Sequence, residues 1–170
     1  LLMAVFTDYP EYDRSYSATP AYRPELWATV APDLHEFLLD HEVSGAEAAL
    51  RTRQLLGMPA GHRGDRVVEM WVAPDSLFRP ALDPSITTST TPLDVPADTS
   101  QYTKNYENYW VSTFAEWRER QSGTYRAAVP YPWTDRGYTY DWGSGDPDDI
   151  VGLSEFIVKA HSEESNVVNP

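Results

Sequence analysis

The sequence contains no cysteine, which excludes disulfide bonds, thiolate metal sites and thiol nucleophiles. It also lacks a phosphate-binding glycine loop, a Gly-x-Ser-x-Gly nucleophile motif and a His-Glu-x-x-His zinc motif. Its four histidines are scattered along the chain, so their spacing predicts no metal site, and no cofactor is expected. These absences remove several enzyme classes and leave open whether the protein is an enzyme at all.

Basic residues are scarce, with 13 Lys and Arg against 26 Asp and Glu and a net charge of −13. A surface of this sign repels phosphate backbones and anionic lipid headgroups, so we expect neither nucleic acid nor a membrane surface as a partner. No apolar run approaches the roughly 18 residues that cross a bilayer, so membrane insertion is not expected either. A cationic protein partner would fit the charge.

The length of 170 residues, with 41% hydrophobic residues, is typical of one folded domain rather than of a disordered chain. We expect a single domain over residues 1–170. Residues 1–21 are predicted to form a loose arm and residues 160–170 a loose tail. The first six residues are equally consistent with a strand.

Three helices are predicted. Apolar residues recur at helical spacing over residues 24–41, and Pro32 is expected to kink or split that helix. Residues 44–47, Ser-Gly-Ala-Glu, form a capping box that opens a second helix, which Gly57 ends. An aromatic stripe predicts a third helix over residues 101–121.

Strands are predicted where β-branched and aromatic residues cluster, and helices and strands in this order indicate an α+β fold. We expect the N-terminal helices to pack on a small mixed or antiparallel sheet. Residues 73–100 hold too many prolines for regular structure, and so long an irregular segment is either draped over the surface or functional. The predicted strands are residues 66–72, 125–129, 138–142 and 150–158.

Arg79 follows an apolar strand and is flanked by prolines that restrict its backbone. The planar guanidinium group can bind a carboxylate or phosphate through two hydrogen bonds, so Arg79 is a candidate anion-binding residue. Alternatively, Arg79 simply pairs with a nearby acid such as Asp83. Both interpretations stay open on the sequence.

Glu155 lies within the apolar run Gly-Leu-Ser-Glu-Phe-Ile-Val. If its face of the strand is half-buried, desolvation raises its pKa and makes it a useful acid or base near neutral pH. If that face is the solvent side, Glu155 has no such role.

The stretch Gly-Tyr-Thr-Tyr-Asp-Trp-Gly, residues 137–143, predicts part of a hairpin. Alternation places the rings of Tyr138, Tyr140 and Trp142 on one face and Asp141 on the other, which makes Asp141 the chemically useful group. The acidic loop over residues 141–149 is either a calcium-binding loop or an exposed turn.

Four runs resemble a group of uncharacterised exported bacterial proteins, and the likeness covers roughly residues 44–160. The runs are Leu-Leu-Gly-Met-Pro at residues 55–59, residues 68–87, Tyr-Pro-Trp-Thr-Asp-Arg-Gly-Tyr-Thr-Tyr-Asp-Trp-Gly at residues 131–143, and residues 152–158. The resemblance implies an export signal on a precursor, and so an extracellular, periplasmic or cell-envelope location, with a cytoplasmic one still open. It implies no activity.

A weaker likeness is to bacterial ADP-ribosyltransferase toxins, whose pattern is an Arg after an early strand, a Ser/Thr tract and a Glu on a late strand. Arg79, the tract Thr-Thr-Ser-Thr-Thr at residues 87–91 and Glu155 resemble these elements. The likeness implies that Arg79 would hold the phosphates of a dinucleotide and Glu155 its nicotinamide ribose.

Our preferred interpretation is a domain that binds, and in one version hydrolyses, a polar small molecule or glycan in one cleft. Its alternatives are a non-catalytic protein-interaction module and an ADP-ribosyltransferase-like enzyme. The candidate catalytic residues are Glu155, Arg79 and Asp141. The candidate ligand-binding residues are Trp133, Tyr138, Tyr140, Trp142 and Asp83.

Overall fold

The structure, a computed structural model, describes residues 1–10, 25–94 and 132–159. The predicted helix over residues 101–121 and the predicted strand over residues 125–129 lie outside these ranges. So do most of the predicted arm and nearly all of the predicted tail. Within the described ranges no helix is long and apolar enough to cross a membrane.

Five antiparallel strands form the main sheet, in the spatial order β3-β1-β2-β7-β4. A second, two-stranded antiparallel sheet pairs β5 with β6. Together with two helices, these sheets confirm the α+β class. The strands are β1 Leu2–Thr7, β2 Leu26–Val30, β3 Arg66–Trp71, β4 Leu77–Phe78, β5 Tyr138–Tyr140, β6 Val151–Ser154 and β7 Phe156–Val158.

Strand β1 is an interior strand of the main sheet and not part of a loose arm. It pairs with β2 on one side and with β3 on the other. Successive residues point to opposite faces of a strand, and both faces of β1 are covered. Met3 and Val5 belong to one apolar cluster with Leu26, whereas Ala4 packs with Leu34 against the helices.

Residues 26–30 form β2, so the prediction of a helix there is wrong. Helix α1 covers only Ala31–Asp40, and Pro32 lies in its first turn. Proline is well suited to that position because its missing N–H would have no helical partner. Leu26, Trp27 and Ala28 instead pair with β7, and these ladder hydrogen bonds outweigh the helical spacing of the apolar residues.

Helix α2 covers Ala46–Leu55, close to the predicted helix, but its N-terminus differs from the predicted capping box. Its N-cap residue is Gly45, and no side chain caps the helix. Its end matches the prediction, because Gly57 adopts a left-handed backbone with φ of 64°.

The predicted strand over residues 150–158 is interrupted at Glu155, which separates β6 from β7. The Glu155 N–H donates a hydrogen bond to the Gly137 carbonyl oxygen at 2.9 Å. The chain thereby leaves the small sheet and joins the large one, and Glu155 lies at the crossing. The Pro-rich segment is described as far as Asp94 and contains a 3-10 helix at Pro74–Ser76 followed by β4.

We expect Gly57→Ala to lower the free energy of unfolding by about 2 kcal/mol, because a left-handed backbone disfavours any Cβ. The new methyl group would also lie 3.1 Å from the Tyr140 carbonyl oxygen. Gly61→Ala is the matched control, since its added Cβ meets open space. Urea denaturation of both variants checks this, and equal stabilities would contradict it.

Candidate functional site

A cleft of about 500 Å³ opens next to the β4 end of the main sheet. We call it the arginine cleft. Its walls carry two guanidinium groups, one tyrosine and a row of hydroxyl groups from the Ser/Thr tract. The residues that define it are Arg79, Arg136, Tyr138, Thr87, Thr88, Ser89 and Thr91.

Arg79 is buried and binds the backbone around the cleft. Its Nη1 donates to the Thr88 carbonyl oxygen at 2.5 Å and to the Thr88 hydroxyl at 3.0 Å. Its Nη2 donates to the Arg136 carbonyl oxygen at 3.1 Å. Burial lowers the pKa of Arg79, and the charge of Asp83 partly offsets this. Arg79 therefore shapes the cleft wall, holding the Ser/Thr tract against residue 136.

Asp83 contacts Arg79 through a threonine hydroxyl, and among the described residues the two charges form no direct ion pair. Thr88 Oγ1 accepts from Arg79 and donates to Asp83 Oδ2 at 2.7 Å. Asp83 Oδ1 accepts the Ser85 N–H at 3.0 Å. The predicted association of Arg79 with Asp83 is thus mediated by Thr88, and Asp83 orders the tract without lining the cleft.

Arg136 is the second cation of the cleft. Its Nη1 lies 3.4 Å from Asp135 Oδ1. That nitrogen is buried, yet within the described part of the chain it makes no hydrogen bond. A buried N–H without a hydrogen bond carries a desolvation cost, which the Asp135 carboxylate partly offsets. Arg136 is thus the second candidate residue of the cleft to bind a ligand oxygen.

A second, much smaller hollow of about 30 Å³ lies beside Glu155, the residue whose N–H donates to the Gly137 carbonyl oxygen. We call it the Glu155 cavity. It is mainly apolar, with Phe6, Trp27 and Met58 among its walls and Glu155 as its ionisable residue. The cavity and the arginine cleft have no lining residue in common.

Glu155 is only 8% exposed, and its Oε2 has no hydrogen-bond partner among the described residues. Burial raises the pKa of Glu155 to about 8. The indole N–H of Trp133 acts in the opposite direction and offsets part of this rise in pKa. The predicted desolvation of this carboxyl group is therefore present, and its proton is retained near neutral pH.

Asp141 forms a two-pronged ion pair with Arg51 of α2, with oxygen to nitrogen distances of 2.7 and 2.6 Å. The Arg51 guanidinium also lies over the Phe37 ring, 4.6 Å from its centre. These contacts tie α2 to the end of β5, and they occupy both carboxylate oxygens. Within the described residues no group of three His, Asp or Glu is placed to hold a metal ion, the 141–149 loop included.

Of the four predicted aromatic ligand-binding residues, only Tyr138 lines the arginine cleft. Trp133 is buried in a core cluster and meets the Trp27 ring edge-on at 6.2 Å. Trp142 donates its indole N–H to the Met58 carbonyl oxygen at 2.9 Å. Tyr140 is half-buried on β5 and lines neither hollow. The ring alternation predicted for residues 138–142 is nevertheless found, since Thr139 and Asp141 are the buried positions.

The structure does not bring the three candidate catalytic residues together. Arg79 lines the cleft, Glu155 lines the cavity, and Asp141 is paired with Arg51. A composite site of all three is a prediction that this geometry does not support. Arg136 was missed, although it lies within one of the motifs that the sequence makes conspicuous, beside Gly137.

No protein-family model, curated protein or solved structure matches the chain. The likenesses to exported bacterial proteins and to ADP-ribosyltransferase toxins therefore stay predictions, and so does the location that the first implies.

We expect Asp141→Asn to lower the free energy of unfolding by about 2–3 kcal/mol, because it leaves the Arg51 charge without its partner in a partly buried setting. Asp148→Asn, at an exposed position, should change it by less than about 0.5 kcal/mol. Urea denaturation of the wild type, Arg51→Met, Asp141→Asn and the double variant gives a double-mutant cycle, which measures the coupling energy between the two side chains. Additive single effects would contradict a direct pair, for which a coupling of at least about 1 kcal/mol is expected.

We also expect stability to fall with rising pH because of Glu155. Its pKa is about 8 when folded and ordinarily 4.5. The folded state holds the extra proton between these values, so the stabilisation is complete below pH 4.5 and is lost as the pH rises through 8. Relative to Glu155→Gln, the unfolding free energy should fall by about 1.4 kcal/mol per pH unit within that window.

Urea denaturation at several pH values measures this difference. Glu47→Gln, which changes an exposed carboxylate, controls for general charge effects. Parallel pH profiles for the wild type and Glu155→Gln would show that the carboxyl group is ionised when folded.

Proposed function

We propose that the protein binds a small polar molecule carrying an anionic group, and that the ligand lies in the arginine cleft. One observation carries the proposal: the cleft is lined by two arginines and by no described acidic residue. In a chain with twice as many acidic as basic residues, a cleft lined by two arginines runs against the composition, although Asp135 pairs with Arg136 and Asp83 is near Arg79. Guanidinium groups are also the side chains best suited to oxyanion recognition.

The hydroxyl groups of the Ser/Thr tract also support a polar ligand. The tract from Thr87 to Thr91 presents side-chain oxygens along one wall, and hydroxyl groups can donate to an anion as well as accept from a sugar. Tyr138 adds an aromatic ring to the lining. These groups suit a ligand with both an anionic part and neutral polar parts.

The size of the cleft is consistent with this class of ligand. Its volume of about 500 Å³ falls within the range of about 300–1,000 Å³ that small-molecule sites occupy. Arg79 is pre-positioned by its bonds to Thr88 and Arg136, so little ordering would be required when a ligand binds.

Binding is better supported than catalysis. Hydrolysis of a glycan needs two carboxyl groups about the reacting bond, and the described residues place none on the cleft wall. An ADP-ribosyltransferase arrangement needs Arg79 and Glu155 at one ligand, whereas they line different hollows. The alternative of a non-catalytic protein-interaction module stays a prediction.

Pyrophosphate is the probe for the cleft. Titrated into ¹⁵N-labelled protein, it should shift the backbone amide signals of Thr88 and Gly137, because both residues line the site. Arg136→Gln should weaken the apparent affinity by at least about tenfold, since a hydrogen bond to a charged group contributes about 1.5–3 kcal/mol. Arg66→Gln is the control, because β3 is at the far end of the five-strand order from β4.

Maltotriose in the same titration separates an anion site from a neutral glycan site. Shifts of these amides by maltotriose alone would overturn the anionic ligand and favour a glycan. Equal affinities of the wild type and Arg136→Gln for pyrophosphate would show that the anion does not bind in the arginine cleft.

A further inference from the structure

The Glu155 cavity is a second hollow that the proposed function does not use. It combines two independent features: a concave apolar space and a carboxyl group that is more than nine-tenths buried. The Oε2 atom of that carboxyl group has no hydrogen-bond partner among the described residues. A buried oxygen in this condition is costly, and proteins usually satisfy such an atom with a side chain, a water molecule or a ligand.

The other polar side chains on the cavity wall are already engaged. Thr29 Oγ1 donates to the Ser154 carbonyl oxygen at 2.8 Å. Thr139 Oγ1 donates to the Leu55 carbonyl oxygen at 2.6 Å and accepts the Leu153 N–H at 2.9 Å. The carboxyl group of Glu155 is therefore the polar group that the described wall offers to an incoming molecule.

The walls favour a cation over an anion when the Glu155 carboxyl group is ionised. The rings of Phe6 and Trp27 line the cavity, and aromatic faces attract ammonium groups. A buried carboxylate needs a positive partner, and no Lys, Arg or His is among the described residues lining the cavity. A space of about 30 Å³ is larger than the roughly 10–15 Å³ that one water molecule requires, so it can take a small head group.

We propose that this cavity binds the ammonium end of a small organic amine, with the Glu155 carboxylate as counter-ion and the Phe6 and Trp27 rings against the adjoining carbon. The rest of the amine would extend through the open side of the cavity. This site is separate from the arginine cleft, and each can fail without the other.

Methylammonium is the probe, because it is the smallest amine with one carbon and it stays charged up to about pH 10 like a lysine side chain. Isothermal titration of the full chain should detect binding with a dissociation constant on the order of millimolar at pH 8. The ligand requires the carboxylate form, whose folded-state pKa is about 8. Affinity should therefore rise about 50-fold between pH 6 and pH 8.

Glu155 is the ionisable residue among the described lining residues, so the pH dependence reports on it. Glu155→Gln keeps the shape and removes the charge, and it should abolish both the binding and its pH dependence. Met58→Leu is the matched control on the same wall and should bind within about twofold of the wild type, since the swap conserves volume. Methanol, a neutral molecule of similar size, should not compete.

Carboxyl ¹³C NMR gives a second readout that does not depend on the variant's folding. Saturating methylammonium should lower the apparent pKa of Glu155 in the wild-type protein, because a bound cation favours the ionised form. An unchanged pKa, equal binding to Glu155→Gln, or competition by methanol would each overturn the proposal and leave a cavity that only water occupies.

Discussion

The backbone at Gly137 is the constraint that joins the arginine cleft to Glu155. Its φ of 77° lies in the left-handed region, and a Cβ there would come within 2.7 Å of Arg79 Nε. The side chain of Arg79 can pack against this peptide only because the residue is glycine. The carbonyl oxygen of Gly137 also accepts a hydrogen bond from the N–H of Glu155. One residue thus lines the arginine cleft and holds the backbone of Glu155.

The pairing of β4 with β7 explains why Arg79 and Glu155, which the sequence predicts in one site, line different hollows. In the β4–β7 pairing Leu77 is opposite Val158 and Phe78 is opposite Ile157. Side chains alternate along strands, so Leu77 and Phe156 join one core cluster while Phe78 and Ile157 join another. Arg79 is two residues after Leu77 and so shares its face. Glu155 is two residues before Ile157 and so shares the opposite face. Arg79 and Glu155 therefore lie on opposite faces of the β4–β7 pair.

Local patterns predicted the parts of the fold that local physics decides. The strand at β3, the stop of α2 at Gly57 and the desolvation of Glu155 all follow from neighbouring residues. Residues 26–30 were assigned to a helix because their pairing with β1 and β7 is invisible to periodicity. The partner of Asp141 could not be predicted either, since Arg51 is 90 positions away along the chain. The arginine cleft was only half predictable, because Arg136 joins Arg79 through a fold-dependent contact.

The distribution of charge is what makes the two hollows more than packing defects. A chain of net charge −13 places most of its acids elsewhere, yet it keeps two guanidinium groups on one cleft wall and one isolated carboxyl group in an apolar cavity. The Glu155 carboxyl group does not stabilise the fold by itself, because desolvating an ionisable group without a full set of partners is unfavourable. The ion pair of Arg51 with Asp141 is the contrasting case, with both charges satisfied and a clear structural role. The two sites that we propose would take partners of opposite charge, an anionic group in the arginine cleft and an ammonium group in the Glu155 cavity.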